Sequence, residues 1–249
     1  MGTAGDKNRA IYDEFWANCS DFSRYNPGAR HRRRILGHIV QKLKYRSVLD
    51  VGCGDCQNLQ WLRTHSPDNV EFVGVDLSPK TIEENTRRHR FARFFTLDIE
   101  RQTLEETFDL VTCSEVIEHL DAPASAVTNL ARHVSPGGHL VITCPTGTVH
   151  ATERHWGHVA HPTQDSLRGM LGRAELEIVS IENWGFPLYV ALKYATSVRT
   201  DWALKNFGTA QYSSRAKALL GILYLANFLN LGSSPFGCEL FALARKPAT

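Results

Sequence analysis

Short runs of apolar and β-branched residues alternate along this chain with stretches whose apolar positions recur every three or four residues. That alternation predicts an α/β fold built on a doubly wound, mostly parallel sheet. Strands are expected near 47–51, 71–75, 92–96, 109–114 and 140–144. The fourth, Phe108-Asp109-Leu110-Val111-Thr112-Cys113-Ser114, is an apolar run behind a charge, which suits a buried parallel strand. Two later runs, Glu177–Asn183 and Glu239–Arg245, bring the sheet to seven strands. Helices are expected from Ser78-Pro79, where Ser78 can cap and Pro79 fits the first turn, and over Ala122–Val134, where Leu130 and Val134 share a face. Upstream, Ile35, Ile39, Val40 and Leu43 form a helical stripe in an N-terminal cap spanning 1–44. Pro136-Gly137-Gly138 predicts a tight turn before the fifth strand.

Residues 184–238 break this rhythm. This helical insert before the last strand contains Ala216–Leu231, almost uncharged but shorter than the ~20 apolar residues that cross a bilayer. A core helix or substrate lid is expected. Peripheral membrane contact or a homodimer face are the alternatives, because an exposed apolar surface of this size needs covering. With 249 residues and 43% hydrophobic content, the chain can bury one core, so a single domain over 1–249 is expected. A net charge of +2 argues against a nucleic-acid partner, and the basic clusters His31–Arg34 and Arg87–Arg93 read as solvated faces. Of six cysteines, only Cys53 and Cys56 have C-x-x-C spacing, so neither a disulfide framework nor a zinc ribbon is indicated. A reducing, cytoplasmic location fits, and Met1–Arg9 lacks the apolar segment of an ordinary secretory signal.

The candidate chemistry starts at Val48-Leu49-Asp50-Val51-Gly52-Cys53-Gly54-Asp55, a glycine turn after a strand, followed by Val73-Gly74-Val75-Asp76, an acid ending the next. Gly52 and Gly54 permit a sharp turn and close backbone approach to a ligand, and Asp76 can accept both ribose hydroxyls. Gln57 stands where the dinucleotide fingerprint has its third glycine, which disfavours a pyrophosphate. The turn resembles the first motif of class I S-adenosylmethionine (SAM) methyltransferases, with Cys56 in place of the last glycine, where its thiol would narrow the space beside the methionine moiety. Phe94–Ile99 resembles the family's third strand, with Asp98 matching its adenine-amine acceptor. The fourth strand and the glycine turn before the fifth follow in the family's order. The resemblance spans Tyr45–Asn183 and implies a Rossmann-like fold with an antiparallel last strand and only a short hairpin where this chain has its insert. It implies SAM held by Asp50, Gly52, Gly54, Asp76, Leu77, Asp98, Ile99 and Ser114.

After strand four comes Glu115-Val116-Ile117-Glu118-His119. On a helical turn, Glu115, Glu118 and His119 would share one face at the carboxyl end of a central strand, a plausible divalent-ion site and the catalytic centre expected here. This E-x-x-E-H arrangement resembles that of ubiquinone-pathway O-methyltransferases and of small-RNA 3′-terminal 2′-O-methyltransferases, where a further histidine completes the metal shell. His158 is the best match to that histidine, with His155 or His161 as substitutes and His150 in the same segment. Carboxylate and imidazole ligands admit magnesium, manganese, iron or zinc. Metal-free, His119 could instead act as general base, or merely hydrogen-bond a neighbour. The ubiquinone-pathway resemblance also implies an arginine facing the cofactor's carboxylate, for which Arg32 counts best and Arg33 and Arg34 nearly as well. Trp156, Trp184, Phe186, Pro187 and Tyr189 could line an acceptor pocket, though such aromatics more often pack the core. The expected function is methyl transfer from SAM to a hydroxyl oxygen of a small-molecule metabolite, with a divalent metal as an additional expectation. The rivals are an RNA 3′-end methyltransferase, a metal-independent N-methyltransferase and a non-enzymatic SAM-binding or lipid-surface module.

Overall fold

A computed structural model describes residues 21–207 and 211–248. The chain enters through a short helix, α1 (Phe22–Tyr25), and a long one, α2 (Pro27–Val40), which Asn26 caps by accepting from the Ala29 amide at 3.0 Å. It then alternates β1 (Ser47–Val51), α3 (Gln57–His65), β2 (Glu71–Asp76), α4 (Pro79–Arg88), β3 (Arg93–Thr96), β4 (Phe108–Ser114), α5 (Pro123–His133) and β5 (Val134–Pro145). After α6 (Ala151–His155), α7 (Gln164–Arg173) and β6 (Glu177–Trp184) come the helices α8 (Leu188–Val198), α9 (Thr200–Phe207) and α10 (Ser214–Ala226), and finally β7 (Glu239–Arg245). Ser78 caps α4 as expected, accepting from the Thr81 amide at 3.1 Å with Pro79 in the first turn.

The seven strands run β3-β2-β1-β4-β5-β7-β6, with β7 antiparallel to both neighbours and the other pairings parallel. Period-two alternation divides the side chains between two cores. Val48, Phe72, Leu110 and Val141 meet Leu36 and Val40 of α2, Leu59 and Leu62 of α3 and Ile82 of α4. Leu49, Val51, Val73, Val75 and Val111 face Leu130 of α5 and Leu167 and Leu171 of α7 on the other side. Each fully buried aliphatic side chain contributes roughly 1.5–3 kcal/mol, so the sheet's carboxyl edge is a rigid base for loops. Pro136-Gly137-Gly138 does not form a separate turn: it lies inside β5, where the pairing with β4 shifts register between Phe108 and Leu110. Gly137 takes φ +77°, so the strand absorbs the irregularity as a bulge instead of ending there.

The described residues of 184–238 pack back onto α2. His31 of α2 hydrogen-bonds the Tyr224 carbonyl at 2.7 Å and stacks against Trp184 at 5.2 Å. Tyr189 fills the space that a side chain at Gly28 would need. The opposite side of α10 stays exposed, with Ile222 and Leu225 about two-thirds accessible at 64% and 66%. Among the described residues no helix is long and apolar enough to cross a membrane.

Candidate functional site

Over the carboxyl ends of β1, β2 and β4 lies a cavity of about 270 Å³. The glycine turn forms its floor. The Gly52 and Cys53 amides donate to the Val75 carbonyl at 2.8 and 3.0 Å, which ties the turn to β2. Gly52 and Gly54 have φ of +72° and +48°, and a side chain on Gly52 would collide with Val116. Cys56 occupies the third glycine position in the same left-handed region at φ +66°, yet its thiol is fully buried in the core below and does not line the cavity. The expected narrowing beside the ligand is therefore absent.

Asp76 lies in the wall with one oxygen accepting from the Gly54 amide at 3.0 Å and the other from the Ser78 amide at 2.9 Å. A carboxylate offers about four acceptor sites in all, more than these two bonds use. Leu77, Asp98, Ile99 and Ser114 line it too; Asp98 is steadied by the Glu100 amide at 3.1 Å and Ser114 by Thr143 at 2.7 Å between hydroxyl oxygens. Asp50 departs from the expectation that it contacts the ligand. It is fully buried behind the turn, accepts from the Thr112 hydroxyl at 2.7 Å, and does not reach the cavity wall. Burial, aided by the nearby Asp76 charge, pushes its pKa up to about 7 against the Thr112 hydrogen bond.

Of the three arginines, Arg32 and Arg33 line the cavity and Arg34 does not. Arg32 lies 3.3 Å from Glu115 and 3.7 Å from Glu239. Its burial works against the charge, but those carboxylates more than offset it and raise its pKa. Glu115 itself is not on a helical turn. It has φ +58°, a left-handed conformation rare outside glycine, and only Ile117–His119 form a single turn of 3-10 helix. Its carboxylate consequently turns to Arg32 and stands apart from the cluster in which ligand atoms of Glu118, His119 and His158 lie within 4.8 Å of one another.

The loop after α6 reaches this cluster because the Val159 amide donates to the Glu118 carbonyl at 2.8 Å. His119 and His158 rings are 4.4 Å apart, and His158 contacts His161 at 2.9 Å between ring nitrogens. His161 belongs to a second group with Glu153 and His158, with Lys193 on Glu153 at 2.7 Å. His155 is exposed beside Trp156, and His150 starts α6; neither joins a cluster. Glu118 is wholly buried, and neither carboxylate oxygen accepts a hydrogen bond from another described residue. Burial, then the Glu115 charge, pushes its pKa well up. Burial lowers His119 to about 4, and burial with the neighbouring His119 and His161 lowers His158 to about 2, so both rings are neutral and can act as ligands. Among the expected pocket aromatics only Trp156 lines the cavity. Trp184 is core at 3% exposure, and no described residue of 184–238 reaches the cavity wall.

Two buried side chains escaped the sequence reading. Asn85 of α4 donates to the Gly54 carbonyl at 2.7 Å and so holds the turn from behind. Glu239, at 1% exposure on the first position of β7, is the second carboxylate facing Arg32. Only the spacing of Asn85 from Ile82, three residues along one helix face, hinted that it points inward.

The turn, the acid ending β2 and the strand order together define a Rossmann-like α/β fold. Residues 28–181 match the family profile described as a methyltransferase domain, and the chain belongs to that family. Its fold is the Rossmann-like fold of class I SAM-dependent methyltransferases. A ubiquinone biosynthesis O-methyltransferase of Alkalilimnicola ehrlichii is 34% identical over 119 residues, 45% of this chain and 47% of the relative. One from Pectobacterium atrosepticum is 29% identical over 160 residues, 60% of this chain and 62% of the relative. The matches thus span about half to three fifths of these relatives' lengths. The crystal structure of the N-methyltransferase NodS from Bradyrhizobium japonicum with S-adenosyl-L-homocysteine shares the fold, at a TM-score of 0.62 and 20% identity over 96% of this chain and 98% of that one.

Proposed function

We infer that the protein transfers the methyl group of SAM to a hydroxyl oxygen of a small-molecule metabolite, with a divalent ion held by Glu118, His119 and His158. One observation carries this reading: the Glu118 carboxylate is wholly buried, accepts no hydrogen bond from another described residue, and has two neutral imidazoles within 4.8 Å. A buried carboxylate compensated only by its own backbone N–H and by the His119 ring, 3.7 Å away, is costly, and a cation is the partner that this donor set fits. Bound there, the ion supplies Lewis acidity toward an acceptor hydroxyl.

The chain's own residues do the positioning. Asp76 takes the ribose hydroxyls with its remaining acceptor capacity, and the Gly52–Gly54 turn lets the backbone come close to the ligand. Asp98 and Ile99 face the adenine, with Leu77 and Ser114 closing the sides. Arg32 presents a cation for the cofactor's carboxylate and Glu115 fixes its guanidinium, while Asp50 acts from behind the turn. Methyl transfer extinguishes the sulfonium charge, so alignment and a deprotonated nucleophile are what the site must provide. The names of the curated relatives favour oxygen over nitrogen as the acceptor atom.

The deciding assay incubates the protein and labelled SAM with small hydroxylated metabolites, their amine counterparts and RNA oligonucleotides. Label is expected on the small hydroxyl compounds alone. Label on RNA, or on amines only, would overturn the reading.

A further inference from the structure

Arg33 separates the cofactor cavity from a second cavity of about 280 Å³, which lies between α2, α3 and α10. Its walls carry Arg30, Arg33, Arg34 and His38 from α2, Trp61 from α3 and Tyr224 from α10, and include no carboxylate among the described residues. Helix α2 itself has no acidic residue between Pro27 and Val40. Arg30, Arg33 and Arg34 stand at i, i+3 and i+4, where like charges repel. Among the described residues none of the three pairs with a carboxylate.

The guanidinium groups are held in place by other means. Arg30 lies 3.6 Å over the Tyr224 ring, and Arg34 lies 4.5 Å over Phe228 with its Nε donating to His31 Nδ1 at 3.4 Å, so the aromatic faces take up the guanidinium planes and hold both groups in place. Arg33 is anchored by one bond, to the Ser23 carbonyl at 2.7 Å. The surroundings are electropositive: burial first, then Arg34 and Arg30, hold the nearby His31 below its ordinary value. Three pre-oriented guanidinium groups, of which Arg33 alone feels a nearby carboxylate, Asp55, match a multiply charged, tetrahedral oxyanion better than a single carboxylate.

We propose that this cleft binds a phosphate group through Arg30, Arg33 and Arg34. The phosphate could belong to a free phosphate compound or to a lipid headgroup. The lipid source has structural support, since Tyr224 shares its helix with the exposed Ile222 and Leu225, and Leu229 just beyond is 74% accessible.

The test uses the full chain and the double variant Arg30→Gln/Arg34→Gln, neither position lining the cofactor cavity. One arm measures the thermal midpoint in inorganic phosphate against chloride at matched ionic strength. The other measures co-sedimentation with phosphatidylcholine vesicles with and without phosphatidylglycerol. The proposal expects either a phosphate-specific rise in midpoint or retention on the phosphatidylglycerol vesicles, weakened roughly tenfold or more in the double variant. The first result assigns a free phosphate and the second a lipid. His38→Glu, at an exposed position on the rim, should weaken binding similarly without disturbing packing, which guards against a misfolded double variant. SAM affinity should be unchanged in both. Indifference of the wild type to phosphate and to anionic vesicles, or binding that survives the substitutions, would overturn the proposal. So would preferential retention of RNA, which would make the cleft a nucleic-acid surface.

Discussion

Arg32 Nη1 lies 3.3 Å from Glu115 Oε2, so one ion pair joins the N-terminal helix to the carboxyl end of the central strand β4. Glu239 completes a triad at 3.7 Å from the same nitrogen. With the arginine replaced by Gln, two neighbouring carboxylates, one of them almost fully buried, would face each other without a cation. Breaking a buried pair in this way typically costs about 3–5 kcal/mol. Arg32→Gln should lower the denaturant midpoint accordingly, and Glu239→Gln added to it should recover part of the loss. If Arg32→Gln alone leaves the midpoint unchanged, the triad contributes nothing to the fold.

Asp76 serves two purposes at once, bracing the glycine turn through the Gly54 amide and lining the cavity wall. Hydrogen bonds to a charged group contribute about 1.5–3 kcal/mol each. Asp76→Ala is therefore expected to weaken SAM binding by roughly 100-fold or more, as read by calorimetry. Asn85→Ala, which removes only the brace at the Gly54 carbonyl, should give a milder loss. Equal affinity in wild type and Asp76→Ala would remove the ribose assignment.

For Glu118 the metal reading and a purely structural one predict opposite signs. Glu118→Gln replaces a buried carboxyl, costly to ionise there, that accepts nothing from another described residue, so in chelator-treated protein it should raise the thermal midpoint. Metal-loaded wild type is expected to carry roughly one ion per chain by elemental analysis, and the same change, like His158→Ala, should abolish that ion and remove metal-dependent stabilisation. Chelator should also reduce O-methyl transfer by wild type. A Glu118→Gln protein less stable than wild type without metal would mean that the carboxylate has an internal partner instead.

Contiguous features were legible in the sequence, and features made by packing were not. The strands were visible because burial on both faces requires unbroken apolar runs, and Gly52, Gly54 and Asp76 were visible because a sharp turn and a strand-end acid are local. The position of Asp50 was misleading: alternation along β1 turns it to the same face as Val48, beneath the turn, and motif spacing does not report that. Glu115, Glu118 and His119 have helical spacing, but the left-handed residue at 115 rotates the first away. Helix α10 is apolar nearly all round, so no stripe marks which side meets the fold, and the three-arginine cleft exists only because that helix docks on α2. The pairing of Glu239 with Arg32 joins residues 207 positions apart, beyond the reach of any local pattern.

Asp50 allows a pH test of the buried floor. Its pKa in the folded protein is pushed up to about 7 from the ordinary 3.8, chiefly by burial. A raised acid binds its proton more tightly folded than unfolded, so between these two values the folded state holds more protons and its stability falls as pH rises. At ~1.4 kcal/mol per tenfold change in proton affinity, the loss attributable to Asp50 is at most roughly 4 kcal/mol, complete above pH 7. Asp50→Asn keeps an acceptor for the Thr112 hydroxyl and carries no charge. Its thermal midpoint should exceed that of wild type at pH 8, and the advantage should shrink steadily as the pH is lowered toward 4. Two midpoint curves that run parallel across that range would show that Asp50 is already ionised when folded, with a counter-charge close by.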